Sequence, residues 1–282
     1  MSFGKHLIAY SSPAGSTEKV GSTIGEKLEQ LGETVYYLDL SSSAWKEKAS
    51  PVLDKDTSSS MIWIGSPVYA QHAVPPVREF LDWLPYSSER QGAVPFVTWG
   101  AVCSGIALFE MGRSLEEKGY GLLGAAKILS EHSSMWRSNS PLGAGHPDET
   151  DLEKVRQLAE RVQNSIKQGA KFPISSQDLD YQPAWIRREA ENIDLQKVKS
   201  FHPGYPVDNE VCTQCGVCAD NCPAGAITLN PFPEIGENCF LCNNCVRLCP
   251  EGAIYFDTDT VENRVREMEQ RFQEEEKKSE IF

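Results

Sequence analysis

Cys212-Thr-Gln-Cys215-Gly-Val-Cys218-Ala-Asp-Asn-Cys222-Pro-Ala-Gly-Ala-Ile227 is repeated, with changes only between the key residues, as Cys239-Phe-Leu-Cys242-Asn-Asn-Cys245-Val-Arg-Leu-Cys249-Pro-Glu-Gly-Ala-Ile254. Each copy reads C-x2-C-x2-C-x3-C-P and closes on Cys-Pro-x-Gly-Ala-Ile. Self-similarity at this scale marks a duplicated half-module whose two copies pack together. Eight of the nine cysteines of the chain lie in these runs.

The spacing has a chemical meaning. Three thiolates close together in sequence wrap three corners of a cubane, and the fourth corner has to be reached from elsewhere. In the bacterial [4Fe–4S] run the fourth cysteine serves the other cluster. That rule gives Cys212, Cys215, Cys218 and Cys249 for one cluster and Cys239, Cys242, Cys245 and Cys222 for the second. Pro223 and Pro250 stiffen the chain after each fourth ligand and cannot donate a backbone hydrogen bond. Gly216, Ala219, Ala224 and Gly225 are small enough to let backbone amides approach sulfur. A disulfide framework suits small secreted domains. Zinc takes paired C-x2-C motifs with no third cysteine so close by. Both fit less well than two iron–sulfur clusters.

Outward from the repeat, charge is uneven. The chain carries a net −13. Between Tyr205 and Thr260 stand eight acidic residues and one basic residue, Arg247. Such a surface argues against nucleic acid and suits a basic patch on a redox protein partner. Residues 261–282 read as a highly charged helix, expected to be a solvated helix end rather than a clasp. Residues 171–206, with Pro173, Pro183, Pro203 and Pro206, read as a connector with one short helix at Trp185–Lys199.

The first part of the chain alternates short apolar strands with helical patterns, the rhythm of a doubly wound α/β domain over residues 1–170. Strands are expected at Lys5–Tyr10, Thr34–Leu38, Met61–Ile64, Val94–Trp99 and Leu122–Leu129. Helices are expected at Thr17–Leu31, Val77–Leu84 and Ile106–Glu117. A last helix capped by Asp148 or Thr150 runs to about Lys167. No apolar run reaches the roughly 18 residues of a membrane span. The first residues lack the pattern of a signal peptide, so a cytoplasmic protein is expected.

Three loops follow the carboxyl ends of neighbouring strands, where such sheets bind ligands. Ser11-Ser12-Pro13-Ala14-Gly15-Ser16-Thr17 combines hydroxyls, a glycine and a helix N-terminus, which together attract an anion. Gly65-Ser66-Pro67-Val68-Tyr69-Ala70 and Gly100-Ala101-Val102-Cys103-Ser104-Gly105 are the other two. No lysine follows Gly15 as in G-x-x-x-x-G-K-[ST], which argues against a nucleoside triphosphatase. Cys103 is expected to be a small buried hydrophobe. Gly143-Ala-Gly145-His-Pro-Asp148 imitates a dinucleotide fingerprint but follows the fifth strand, so it reads as a helix-entry loop. His6, His72, His132, His146 and His202 show no metal-ligand spacing.

On these loops the first part resembles the flavodoxins. Residues 12–17 are similar to the T-x-T-G-x-T phosphate loop of that family, with Gly15 and Thr17 matching, Ala14 for Thr and Ser16 for Asn. Together with the cysteine repeat, the chain resembles the flavodoxin–ferredoxin fusion proteins of anaerobic bacteria and archaea. The resemblance implies a flavodoxin-like five-stranded parallel sheet followed by a small α+β two-cluster ferredoxin-like domain over 207–260. It implies FMN, with Ser11, Ser12, Ala14, Gly15, Ser16 and Thr17 on the phosphate. Pro67, Val68 and Tyr69 would lie against the ring with Tyr69 stacked on it. Gly100, Ala101, Cys103, Ser104 and Gly105 would lie at its polar edge. The later loop lacks the aromatic that covers the second ring face in that family, and the ferredoxin-like module or the connector is expected to cover it. The expected role is electron transfer between FMN, the clusters and redox partners. The alternatives are reduction of a small quinone or nitro acceptor at FMN, and a redox sensor or assembly subunit.

Overall fold

Uninterrupted apolar strands suit a sheet covered on both faces, and three of them form its centre. The computed structural model describes residues 5–42, 44–53, 60–87, 91–169, 172–274 and 276–282. Within it β1 (Lys5–Tyr10), β3 (Ser60–Tyr69) and β5 (Gly92–Trp99) pair in parallel. β2 (Thr34–Asp39) joins beside β1, and β7 (Ala126–Leu129) beside β5. The order β2-β1-β3-β5-β7 is the 2-1-3-4-5 order of a flavodoxin-like doubly wound sheet.

Strand alternation divides the core. Ile8, Tyr10, Met61, Trp63, Val94 and Phe96 face α1 (Ser16–Gln30) and α5 (Glu149–Lys167). Leu7, Ala9, Ile62, Ile64 and Val97 face α3 (Pro75–Trp83) and α4 (Ala107–Glu117). Asp148 caps α5: it accepts the Asp151 N–H at 3.0 Å, and Asp151 accepts the Asp148 N–H at 2.9 Å. The loop over residues 143–148 is therefore a helix entry, as expected.

Several elements depart from the sequence reading. α2 (Trp45–Leu53) holds Pro51 inside its span, which hides it from propensity. β3 does not stop at Ile64. It continues to Tyr69 and turns through Ala70 and Gln71, both at positive φ, into the short antiparallel β4 (His72–Ala73). The expected fifth strand is split. β6 (Gly121–Leu122) pairs with β5, and pairing resumes at β7. The expected connector helix is two helices, α6 (Ala184–Glu191) and α7 (Leu195–Lys199), the second capped by Asp194. The expected boundary at 170–171 lies outside the described residues, as do residues 1–4.

In the cysteine segment α8 (Val217–Asp220) and α9 (Asn244–Arg247) each start after a residue in the left-handed region, Gly216 and Asn243. These two stand at the same place in the two copies of the repeat. β8 (Ile227–Leu229) and β9 (Pro233–Ile235) form a small antiparallel ribbon.

The tail is more than a solvated helix end. α10 (Thr258–Phe272) buries Val265 and Phe272 against Val102, Cys103, Met135 and Ile186. The chain then returns to the sheet, where β10 (Glu280–Ile281) pairs antiparallel with β7. Among the described residues no helix is long and apolar enough to cross a membrane.

Candidate functional site

Cys212, Cys215, Cys218 and Cys249 line one cavity; Cys222, Cys239, Cys242 and Cys245 line a second. The last cysteine of each run thus faces the cavity of the other run. The Ala226 N–H points at Cys222 Sγ (3.2 Å) and the Ala253 N–H at Cys249 Sγ (3.3 Å), while the Leu241 N–H points at Cys239 Sγ (3.4 Å). Amides so placed stabilise thiolates and tune any metal they hold. All nine cysteines are free of disulfides. As bare thiols Cys242 and Cys245 are pushed up to about 12, chiefly by burial. Holding them as thiolates calls for a cationic partner such as iron.

The two cavities differ in setting. Cys215 of the first is exposed, and Leu229 and Glu251 line the same opening at the surface. The second is deep: Cys242 and Phe240 belong to the core that also holds strand residues of the sheet domain.

The first loop joins β1 to α1. Gly15, at φ 88°, opens α1 and has no side chain of its own to cap it, and the first-turn N–H groups have no intrahelical partner. Ser12 Oγ accepts the Glu18 N–H at 2.8 Å, and Thr17 Oγ1 meets Thr98 Oγ1 at 2.8 Å. Ser11 Oγ is buried with no hydrogen-bond partner among the described residues. A phosphate group in this cradle would give that hydroxyl an acceptor, so the phosphate end of FMN fits. Ala14 and Gly15 are exposed, and Ser16 half-buried.

Pro67, Val68 and Tyr69 form the end of β3 rather than a free loop, and all three keep part of their surface open. The Tyr69 hydroxyl is buried, and burial pushes its pKa up to about 12, so it stays neutral. The Tyr69 ring packs 6.0 Å from Phe240. The third loop is mostly enclosed. Ala101, Cys103, Ser104 and Gly105 are buried, with Gly100 alone of the expected five partly open. Glu274 takes both the Ser104 N–H (2.6 Å) and the Ser104 hydroxyl (2.7 Å). A Cβ on Gly100 would come within 2.8 Å of the His132 Cα, so the residue has to be glycine for that segment to close over it. Cys103 is the small buried group the sequence suggests, its thiol pushed up to about 12 by burial first and by Glu274 second.

Side chains to which the sequence reading gave no site role join the parts. Arg247 donates to Pro13 O (3.0 Å) in the first loop and to Ser133 O (2.9 Å). Asn243 donates to Ser134 Oγ (3.2 Å) and accepts from the Tyr205 hydroxyl (2.6 Å). Arg247 was visible as the one basic residue of its segment; Phe240, Lys127 and Glu274 gave no local signal. His146, Asp148 and Asp151 also converge, but the helix cap and the His146 Nδ1–Asp151 contact (2.6 Å) account for them.

Residues 211–254 match the family described as 4Fe-4S dicluster domain. No curated protein matches the chain. Among solved structures, it is similar to the rubredoxin oxygen:oxidoreductase of Desulfovibrio gigas (18% identity, TM-score 0.46), over 59% of this chain and 37% of that one. A flavodoxin from the domain Archaea (20%, TM-score 0.44) is matched over 58% of this chain and 99% of that one. The flavodiiron protein of Giardia intestinalis (15%, TM-score 0.43) is matched over 60% and 38%. The chain thus spans well under half the length of two of these three. The strand order defines the class of the first part, a flavodoxin-like domain, and the chain joins it to a segment of 4Fe-4S type.

Proposed function

We propose that the protein is an electron carrier that passes electrons between redox protein partners, two [4Fe–4S] clusters and FMN. The observation that carries the reading is the contact between Tyr69 and Phe240, because it puts the expected flavin loop against the chain between two cysteines of the second cavity. The ligand sets are Cys212, Cys215, Cys218 and Cys249, and Cys239, Cys242, Cys245 and Cys222. FMN would be held at its phosphate by Ser11, Ser12, Ala14, Gly15, Ser16 and Thr17, with Tyr69 beside the ring. Flavin exchanges one or two electrons and a cubane one, and the protein's part is to position and tune them.

The depth of the two cavities suggests an order. The first, with Cys215 exposed, is the port for a partner, and the second is the inner relay. Asp208, Glu210, Asp220, Glu234 and Glu251 are exposed on this segment while its one cation is turned inward, so a partner with a basic face suits it. Anaerobically purified protein should carry about eight iron atoms and one FMN per chain. About four iron atoms, stoichiometric zinc, or no flavin after reconstitution would overturn the reading. Faster reduction of FMN through the clusters than in a Cys242→Ala variant, with a reduced ferredoxin as donor, tests the wiring.

A further inference from the structure

The duplicated run has one internal position at which its two copies carry opposite charge. Asp220 stands between Cys218 and Cys222, and Arg247 between Cys245 and Cys249. Asp220 is exposed, and a Cβ on Gly216, a residue lining the first cavity, would lie 3.8 Å from its Oδ2. Arg247 is held still. Its guanidinium donates to Pro13 O, Ser133 O and Asn244 Oδ1, and lies 4.9 Å from the centre of the Trp136 ring. A planar cation anchored on several sides keeps its charge in one place, which a free lysine does not. Asn244, whose Oδ1 accepts from Arg247 at 3.2 Å, lines the second cavity and not the first.

Burial and charge pull the second cavity in opposite directions. An electron added to a cubane held by four thiolates increases its negative charge, and a buried setting opposes that. A fixed cation in the same half-buried setting favours it, and is screened less than it would be in water. The first cavity is more open to water but has Asp220 and Glu251 at its edge.

We infer that Arg247 is a positioning residue that raises the reduction potential of the second cluster selectively, so that an electron delivered to the exposed first cluster is drawn inward. The inference rests on the two-cluster reading. It adds a division of labour that the cysteine pattern, symmetric between its copies, does not contain.

The test is an anaerobic potentiometric titration of the full chain followed by electron paramagnetic resonance, after iron content has been measured. Arg247→Gln should lower the potential of one cluster and leave the other in place, and Arg247→Lys, which keeps the charge, should recover part of the shift. Cys215→Ala, at an exposed ligand of the first cavity alone, identifies which cluster moves: the signal left in that variant should still shift with Arg247→Gln. In Cys242→Ala the remaining signal should not shift. Equal shifts in both clusters, no shift, or a shift confined to the first cluster overturn the inference while the carrier reading stands. So does an Arg247→Lys protein identical to Arg247→Gln, since packing rather than charge would then be the cause. Failure to find about eight iron atoms in the unsubstituted chain removes the carrier reading instead.

Discussion

The rings of Tyr69 and Phe240 lie 6.0 Å apart at a tilt of 56°, one at the end of β3 and the other between Cys239 and Cys242. Tilted aromatic pairs at this distance contribute about 0.5–1.5 kcal/mol beyond the area they bury. Phe240 is 1% exposed, so it is also a core residue shared by the two parts of the chain.

Two substitutions separate those roles. Phe240→Ala should destabilise the protein by about 3–5 kcal/mol, the usual cost of a large cavity, and slow transfer between clusters and flavin. Tyr69→Ala, at a partly open position, should cost less stability. It should weaken FMN retention while iron content stays unchanged. Urea unfolding, iron assay and flavin fluorescence measure the three quantities. Loss of iron from Tyr69→Ala would show that the residue supports the second cluster rather than the flavin.

The crossed cavities make a second expectation. Cys249→Ser should damage the cluster of the first run, and Cys222→Ser that of the second, because each lines the cavity of the other run. Cys103→Ala should keep all iron. It lies in a separate apolar cluster with Val102, Met135 and Phe272. Electron paramagnetic resonance of each variant distinguishes the two patterns, and loss of iron from Cys103→Ala would add a ninth ligand to the scheme.

Much of this was legible because its chemistry is local. Cys-Pro-x-Gly-Ala-Ile needs no partner to be recognised, and Asp148 announces α5 from three residues away through Asp151. The parallel strands showed as apolar runs. What stayed hidden depends on partners distant in sequence. β10 is two residues long, and only its pairing with β7 makes it a strand. Ser104 reads as a loop serine until Glu274 is found holding it. α10 docks on a stripe of Val261, Val265, Met268 and Phe272 at helical spacing, which the charges that make up most of the helix mask in the sequence.

His72 gives a pH dependence. Nδ1 faces both Glu110 oxygens at 3.0 and 3.1 Å, and Nε2 faces Ala190 O at 2.9 Å and Ile193 O at 3.0 Å. All four are acceptors, so both ring nitrogens donate only when the imidazole is protonated. Burial pulls its pKa down, but Glu110 and the two carbonyls outweigh that and raise it above the usual 6.5. A raised folded pKa means stability fully present below about 6.5 and lost as pH rises through the folded value. Melting temperatures of the protein and of His72→Ala should therefore differ most below pH 6.5 and converge above. A gap that widens with rising pH would contradict the protonated form.

The strap formed by the tail can be tested through one buried ion pair. Glu274 accepts from the Ser104 N–H and hydroxyl, from Lys127 Nζ at 3.2 Å and from Gln182 Nε2 at 3.3 Å. Lys127 is 5% exposed and also meets Glu280, on β10, at 3.2 Å. Removing one partner of a buried pair typically costs about 3–5 kcal/mol, because the other charge is left without compensation. Glu280 tempers that here, so Glu274→Ala should cost about 3 kcal/mol in urea unfolding. Lys127→Met combined with Glu274→Gln removes both charges and keeps an acceptor for Ser104, and should recover most of the loss. The same variants should retain their iron, since the pair ties the tail to the sheet and touches neither cysteine cavity. A Glu274→Ala protein as stable as the parent would mean that the tail's other contacts, among them Val265, Phe272, the β10 pairing and the Ser279–Asp151 hydrogen bond, suffice to hold it.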